Sequence, residues 1–228
     1  KVTGTGYGPM ERFHYNRASM IPDQNRTTEF LFPTLIQVTE HPDAQAFNAR
    51  LMAEIETIRK TVPNGKPGNW SCDHYTTMTN EGRLHQRPGF EEFADFAMAC
   101  AQHYGDIMRY HYGDKELQLN DCWLNIYGAG HSQDIHNHPN HVLSGVYFVK
   151  VPEGAASLLF YSPHYKTMIR PAISEETPVN CMDMPYPPAA GDFVLFESAT
   201  KHSVPFNEVE GDRITLAVNF SLERSLGS

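Results

Sequence analysis

Apolar residues change their spacing twice along this chain, and each change predicts a different kind of element. Phe30-Leu-Phe-Pro-Thr-Leu-Ile-Gln-Val38 is β-favouring but carries Pro33, which confines it to an edge strand or a strand broken by a bend. From Pro42 to about Thr61 the period lengthens: Phe47, Leu51, Ile55 and Ile58 recur at steps of four, four and three, the spacing of one apolar helix face. Asp43 in its first turn and Arg59 and Lys60 in its last suit the helix dipole. Pro63 to Gly68 predicts a loop, Trp70 to Thr79 a strand, and Asn80 to Arg83 a turn. After Pro88 and Gly89, the residues Phe93, Phe96, Ala97, Cys100, Tyr104, Ile107 and Met108 predict a second amphipathic helix.

Beyond about Leu117 the helical period gives way to short strands separated by turns. In Cys122-Trp-Leu-Asn-Ile-Tyr127, alternation sets Leu124 and Ile126 on one face and Trp123, Asn125 and Tyr127 on the other. The second face is large but polar-tipped, which suits a lined cavity better than a dry core. Further strands are expected at Leu143 to Val151, Ser157 to Tyr161, Phe193 to Phe196 and Ile214 to Phe220. Residues 162–190 hold six prolines and no clear period, so a long loop is expected there, and beside a metal site a lid. Residues 1–28 read as a polar N-terminal arm and residues 29–224 as a single domain. Helices first and many short strands after predict an α+β, mainly β fold: a jelly-roll core with two N-terminal helices packed against it.

Charge and cysteine content narrow the partners. The chain of 228 residues carries 18 Lys and Arg against 27 Asp and Glu, with no basic run, which argues against nucleic acid. No apolar stretch reaches the roughly 18 residues of a membrane span and no signal pattern opens the chain. The four cysteines, at 72, 100, 122 and 181, form no C-x-x-C motif, which fits a reduced, cytoplasmic protein, although an even count leaves a bridge open.

Candidate chemistry concentrates between Gly130 and His141, where four of the twelve histidines fall. His136 and His138 are two apart, so in an extended strand both rings reach one face and could bind one ion. For His131 and His141 a flanking role is expected. A second stretch, Gly191 to His202, repeats the order of glycine turn, strand and histidine, and His202 is the expected third ligand. Neutral imidazoles in this number suit iron or zinc. In Asp212 to Phe220, alternation sets Arg213, Thr215, Ala217 and Asn219 on one face. An arginine directed into a barrel is costly unless an anion meets it, and its planar fork suits a carboxylate, with the Thr215 hydroxyl adding a third hydrogen bond. The competing reading puts Arg213 at an exposed strand start, paired with Glu210 or Asp212.

The succession His136-x-His138, Ser144-Gly-Val-Tyr-Phe148, Gly191 to His202 and Arg213-x-Thr215 resembles the 2-oxoglutarate- and iron(II)-dependent oxygenases. It is most similar to a small bacterial and phage group with an H-x-H-P and an S-G-V-Y-Y-like signature, which Trp123-Leu-Asn-Ile-Tyr127 also matches. The resemblance covers residues 30–221. It implies a double-stranded β-helix (cupin-like) core, iron(II) held by His136 and His202, and 2-oxoglutarate on the metal with its far carboxylate at Arg213 and Thr215. It also implies use of O2, decarboxylation of 2-oxoglutarate to succinate, and hydroxylation of a small-molecule or peptide substrate. Asn125, Tyr127 and Ser144 are candidates for holding cosubstrate or substrate, from strand facing alone.

One departure stands out: most of the superfamily has a carboxylate where this chain has His138. Ligation by His138 is favoured, over Asp134, water or chloride in that position. Two other classes compete. A cupin dioxygenase or isomerase with three histidines shares the barrel and the Gly130 to His138 spacing but has no need of Arg213. A non-enzymatic jelly-roll binding module would hold zinc in a closed site.

Overall fold

The computed structural model describes Thr27, residues 31–163, Ile169 and residues 171–224. The chain divides into two units, 1–34 and 35–228; the expected arm at 1–28 lies outside the described residues except for Thr27. The second unit runs β1 (Ile36–Glu40), α1 (Ala44–Thr61), β2 (Tyr75–Thr76), α2 (Glu91–Met108), β3 (Lys115–Tyr127), β4 (Gln133–His136), β5 (Leu143–Lys150), β6 (Leu158–Tyr161), β7 (Asp183–Tyr186), β8 (Asp192–Glu197), β9 (His202–Val204) and β10 (Arg213–Arg224).

Two antiparallel sheets form, in the orders β1-β8-β5-β10-β3-β2 and β4-β9-β6-β7. The helical faces read from the sequence explain one core layer. Phe47, Leu51, Ile55 and Ile58 of α1 and Phe93, Ala97 and Tyr104 of α2 are buried in one cluster with Leu124, Ile126, Leu216 and Val218, which point outward from the larger sheet. Each of the Phe, Leu, Ile and Val side chains among these contributes about 1.5–3 kcal/mol through burial. The Tyr147 hydroxyl donates to Asn48 Oδ1 at 2.7 Å, which satisfies two buried polar groups across the α1–β5 contact. The opposite face of the larger sheet meets the smaller sheet through Tyr127, Phe148, Phe160, Val194, Phe196 and Val204. This is the expected mainly β jelly roll with two helices against it. β1 follows Pro33 and lies at a sheet edge, as a proline-bearing run requires.

Several local expectations give way. Trp70 to Thr79 forms a strand only at Tyr75–Thr76; the rest is a loop pinned by Gly65 N–H to Thr76 O (2.7 Å) and Thr79 N–H to Gly65 O (3.2 Å). Asp43 occupies the N-cap of α1 rather than its first turn. Ile107 and Met108 are exposed, because the end of α2 carries the apolar period beyond the sheet that covers the rest. The proline-rich stretch contains β7, in which Pro185 is tolerated because β7 is, among the described strands, an edge strand bonded to β6 alone. All four cysteines are free, and no described helix is long and apolar enough to cross a membrane.

The turn into β8 depends on one glycine. Gly191 has φ +99°, its N–H donates to Phe148 O at 2.8 Å, and a Cβ built there would lie 2.4 Å from the Cβ of Ala44. Gly191→Ala is therefore expected to cost roughly 2–4 kcal/mol, combining a strained dihedral with overpacking at the start of α1. Denaturant unfolding measures it, and an unchanged midpoint would contradict this account.

Candidate metal centre and its pocket

The inward faces of β3 and β10 form a floor whose register is set by strand pairing: Arg213 lies opposite Tyr127, Thr215 opposite Asn125, Ala217 opposite Trp123 and Asn219 opposite Asp121. The smaller sheet brings histidines over this floor. β4 and β9 pair so that His136 and His202 are direct cross-strand partners. His138, two residues past the end of His136's strand, is fixed by its backbone N–H donating to Ser198 O at 2.9 Å. One nitrogen from each of the three rings lies within 4.8 Å of the others.

The rings are prepared as donors. His136 Nδ1 lies 2.7 Å from Asp134 O and His202 Nδ1 2.9 Å from Thr200 O, the same backward reach of two residues in each case. A carbonyl only accepts, so Nδ1 carries the proton and Nε2 presents its lone pair. Burial lowers the pKa of all three rings, to about 4 for His138 and about 3 for His202, with the neighbouring His136 adding to both shifts. They are therefore neutral near pH 7, as metal ligation requires. Asp134 stands outside the group. The register breaks between Gln133 and His136, so its carbonyl rather than its side chain meets His136, and its carboxylate accepts from Ser71 Oγ.

These shifts give a pH dependence in the metal-free protein. The unfolded chain binds protons on these rings below about pH 6.5 while the folded chain resists until about pH 4 or 3, so stability falls as pH drops through that window. At pH 5 the loss is up to about 2 kcal/mol for each of His138 and His202. Thermal unfolding between pH 8 and pH 5 tests this; a His138→Gln variant should show a shallower slope, and an identical slope would count against it.

Arg213 is 1% exposed and lines the same cavity of about 360 Å³ as the three histidines. Its Nε donates to Ala156 O at 3.0 Å, but Nη2 has no partner among the described residues. The guanidinium lies between two rings, 5.1 Å from the centroid of Tyr127 and 5.0 Å from that of Phe148. Burial lowers its pKa to about 10, so it stays charged at neutral pH. The exposed, surface-paired reading of Arg213 is thereby excluded.

The structure brings Asn125, Tyr127, Ser144 and Thr215 to this cavity as well. Two of them have local work. With its amide oriented to suit its neighbours, Asn125 donates to Thr76 Oγ1 (2.8 Å) and accepts from Trp123 Nε1 (3.2 Å). Ser144 Oγ donates to Asn219 Oδ1 (2.8 Å) and pairs with Ser198 Oγ (2.8 Å). His131 keeps a turn role, its Nδ1 accepting from Gly128 N–H at 3.0 Å. His141, expected only to flank, lines the cavity with Nε2 3.4 Å from Asp121 Oδ2.

Sequence reasoning missed His74 and Asp121. His74 is fully buried and stacks between Trp70 (5.1 Å) and Tyr127 (4.3 Å), so it backs the ring that faces Arg213. Asp121 begins the polar end of the β3 face, a position that alternation from Trp123 would have indicated. None of the described residues in 162–190 lines the cavity.

A family model described as "Putative 2OG-Fe(II) oxygenase" matches residues 121–219, the stretch that supplies the three histidines and Arg213. Over this segment the chain is similar to the 2OG-Fe(II) oxygenases. Solved structures of similar fold include a prolyl-4-hydroxylase from Pseudomonas putida (14% identity, TM-score 0.57, covering 85% of this chain and 94% of that one). HygX from Streptomyces hygroscopicus, with nickel, 2-oxoglutarate and hygromycin B bound, is another (12% identity, TM-score 0.58, 86% and 85%). A third is the carbocyclase SnoK from nogalamycin biosynthesis (10% identity, TM-score 0.60, 82% and 79%). At these identities the likeness is one of fold. Among curated proteins none matches in sequence.

Proposed function

We propose that this chain is an iron(II)- and 2-oxoglutarate-dependent oxygenase that hydroxylates a small-molecule or peptide substrate, with residues 29–224 as one catalytic domain in the cytoplasm. The observation that carries the reading is a buried arginine with an unpartnered Nη2 in the same cavity as three neutral, convergent histidines. His136, His138 and His202 would hold the metal. The group offers no fourth protein ligand among the described residues, so positions remain for cosubstrate and O2, unlike a closed structural zinc site. Arg213 and Thr215 would take the far carboxylate of 2-oxoglutarate, whose charge meets the one guanidinium among the described residues that line the cavity.

When bound, iron(II) and 2-oxoglutarate would supply the oxidising chemistry: O2 is consumed, one oxygen atom converts 2-oxoglutarate to succinate and carbon dioxide, and the other enters a substrate C–H bond. The chain's own residues bind and orient. The rings of Tyr127 and Phe148 hold the Arg213 fork from both faces, and His74 and Trp70 buttress Tyr127. Trp123, whose ring centroid lies 5.8 Å from that of His138, would wall the metal position. Ser144, Asn125 and Tyr127 hold this floor in place. A three-histidine cupin would share the barrel, but its chemistry gives no reason to bury Arg213.

The test is reconstitution with iron(II) under anaerobic conditions followed by O2. Formation of succinate from 2-oxoglutarate, together with 2-oxoglutarate binding to the nickel-substituted protein, is expected. Tightly held zinc with neither property would sink the reading.

A further inference from the structure

The cavity is electrostatically polarised along its length. Arg213 and Asn219 are six residues apart on β10, or about 20 Å of strand, and Asn219 pairs with Asp121 on β3. Among the described residues that line the cavity, Arg213 is the one fixed cation and Asp121 the one acid. The histidine triad lies over the floor between these two ends, with His138 stacked on Trp123, two residues from Asp121.

Asp121 is held ready rather than neutralised. Asn219 Nδ2 donates to its Oδ2 at 3.1 Å and His141 Nε2 lies 3.4 Å from that same oxygen, while Oδ1 takes no partner among the described residues. Asn219 is itself fixed, accepting from Ser144 at 2.8 Å. With one oxygen committed to two neighbours, the carboxylate cannot swing away, and its second oxygen keeps accepting capacity. The side chain is 38% exposed, so a ligand can reach it. Met78 and Trp123 supply apolar surface in the same cavity.

We infer that the substrate carries an alkylammonium or guanidinium group, received by Asp121 at the end of the cavity remote from Arg213, with His141 and Asn219 as positioning residues. This rests on the oxygenase reading, in which the Arg213 end is filled by 2-oxoglutarate and the substrate enters from the other. A carboxylate or phosphate there would meet the like charge of the Asp121 carboxylate. A neutral hydroxyl would gain only the weaker of the two kinds of hydrogen bond, whereas a cation gains a charge-assisted one. The same group is offered by a free diamine and by a lysine side chain of a peptide.

The nickel-substituted protein with 2-oxoglutarate is titrated by calorimetry with 1-pentylamine, cadaverine and a short lysine-bearing peptide, and with 1-pentanol and pentanoate as isosteres. Pentylamine should bind about tenfold to a hundredfold tighter than pentanol, and Asp121→Asn should erase that difference. Asp121→Lys should turn the preference to pentanoate. Tighter binding of the peptide than of cadaverine supports the inference with a protein side chain as the source, and the reverse supports it with a free amine. Equal binding of pentylamine and pentanol, no amine binding at millimolar concentration, or an amine preference that survives Asp121→Asn overturns it. The 2-oxoglutarate affinity of the same samples separates the two levels: a wild-type protein that binds 2-oxoglutarate without an amine preference refutes this inference alone, and one that does not bind 2-oxoglutarate refutes the oxygenase reading.

Discussion

Arg213→Met should weaken 2-oxoglutarate binding about 30-fold to several thousand-fold without lowering the melting temperature of the ligand-free protein. The two halves have one origin. In the ligand-free fold Arg213 is 1% exposed and, among the described residues, its guanidinium bonds only Ala156 O through Nε and leaves Nη2 unpartnered. The lowering of its pKa from 12.5 to about 10 places the cost of holding that charge at about 3 kcal/mol. Methionine keeps the apolar contacts between Tyr127 and Phe148 and removes the charge, which offsets the lost bond to Ala156. A carboxylate arriving at Arg213 changes the balance, since truncating one partner of a buried charge pair costs about 2–5 kcal/mol. Calorimetry on the nickel-substituted protein and thermal unfolding without ligand measure the two effects separately. A variant that binds 2-oxoglutarate like the wild type would remove Arg213 from the site.

The second large effect concerns the metal. His202→Ala should lose iron(II) by more than the ten- to hundredfold that disturbing a supporting residue around a ligand costs, since it removes a ring whose orientation is fixed by Thr200 O. His138 is the more informative position, because its backbone is anchored to Ser198 and its side chain can be exchanged without moving the strand. His138→Ala should fall with His202→Ala, whereas His138→Asp should retain iron, since it restores the two-histidine, one-carboxylate set and adds a negative charge beside a dication. Iron content after desalting measures all three. If His138→Ala retains metal like the wild type, the third position belongs to a solvent molecule or an anion, and His138 is only a wall of the cavity.

Much of this was legible in the sequence because it depends on local periods. The 3.6-residue spacing identified α1 and α2 through Phe47, Leu51 and Phe93, and alternation sorted Leu124 and Ile126 from Trp123, Asn125 and Tyr127. The convergence of His136, His138 and His202 was foreseeable from two glycine-to-histidine segments. What escaped depends on partners distant in sequence. The loop around Trp70 is shaped by bonds to Gly65 and Asn64, and β7 forms among prolines because β6 offers it an edge. Ile107 and Met108 kept the helical period where no sheet remained to cover them. His74 gave no signal, since a lone histidine acquires meaning only when Trp70 and Tyr127 close on it. Asp134 shared the spacing of a ligand, and a break in strand register removed it.

The chain has two tryptophans, Trp70 and Trp123, and both line the cavity. Its intrinsic indole emission therefore originates at the site, with no background from the rest of the molecule. Trp123 lies close enough to His138 for a paramagnetic metal held there to quench it, while Trp70 reports through His74 and Tyr127 on the Arg213 end. Occupancy of the two ends can thus be followed without a label, and a Trp70→Phe variant isolates the signal of the metal end.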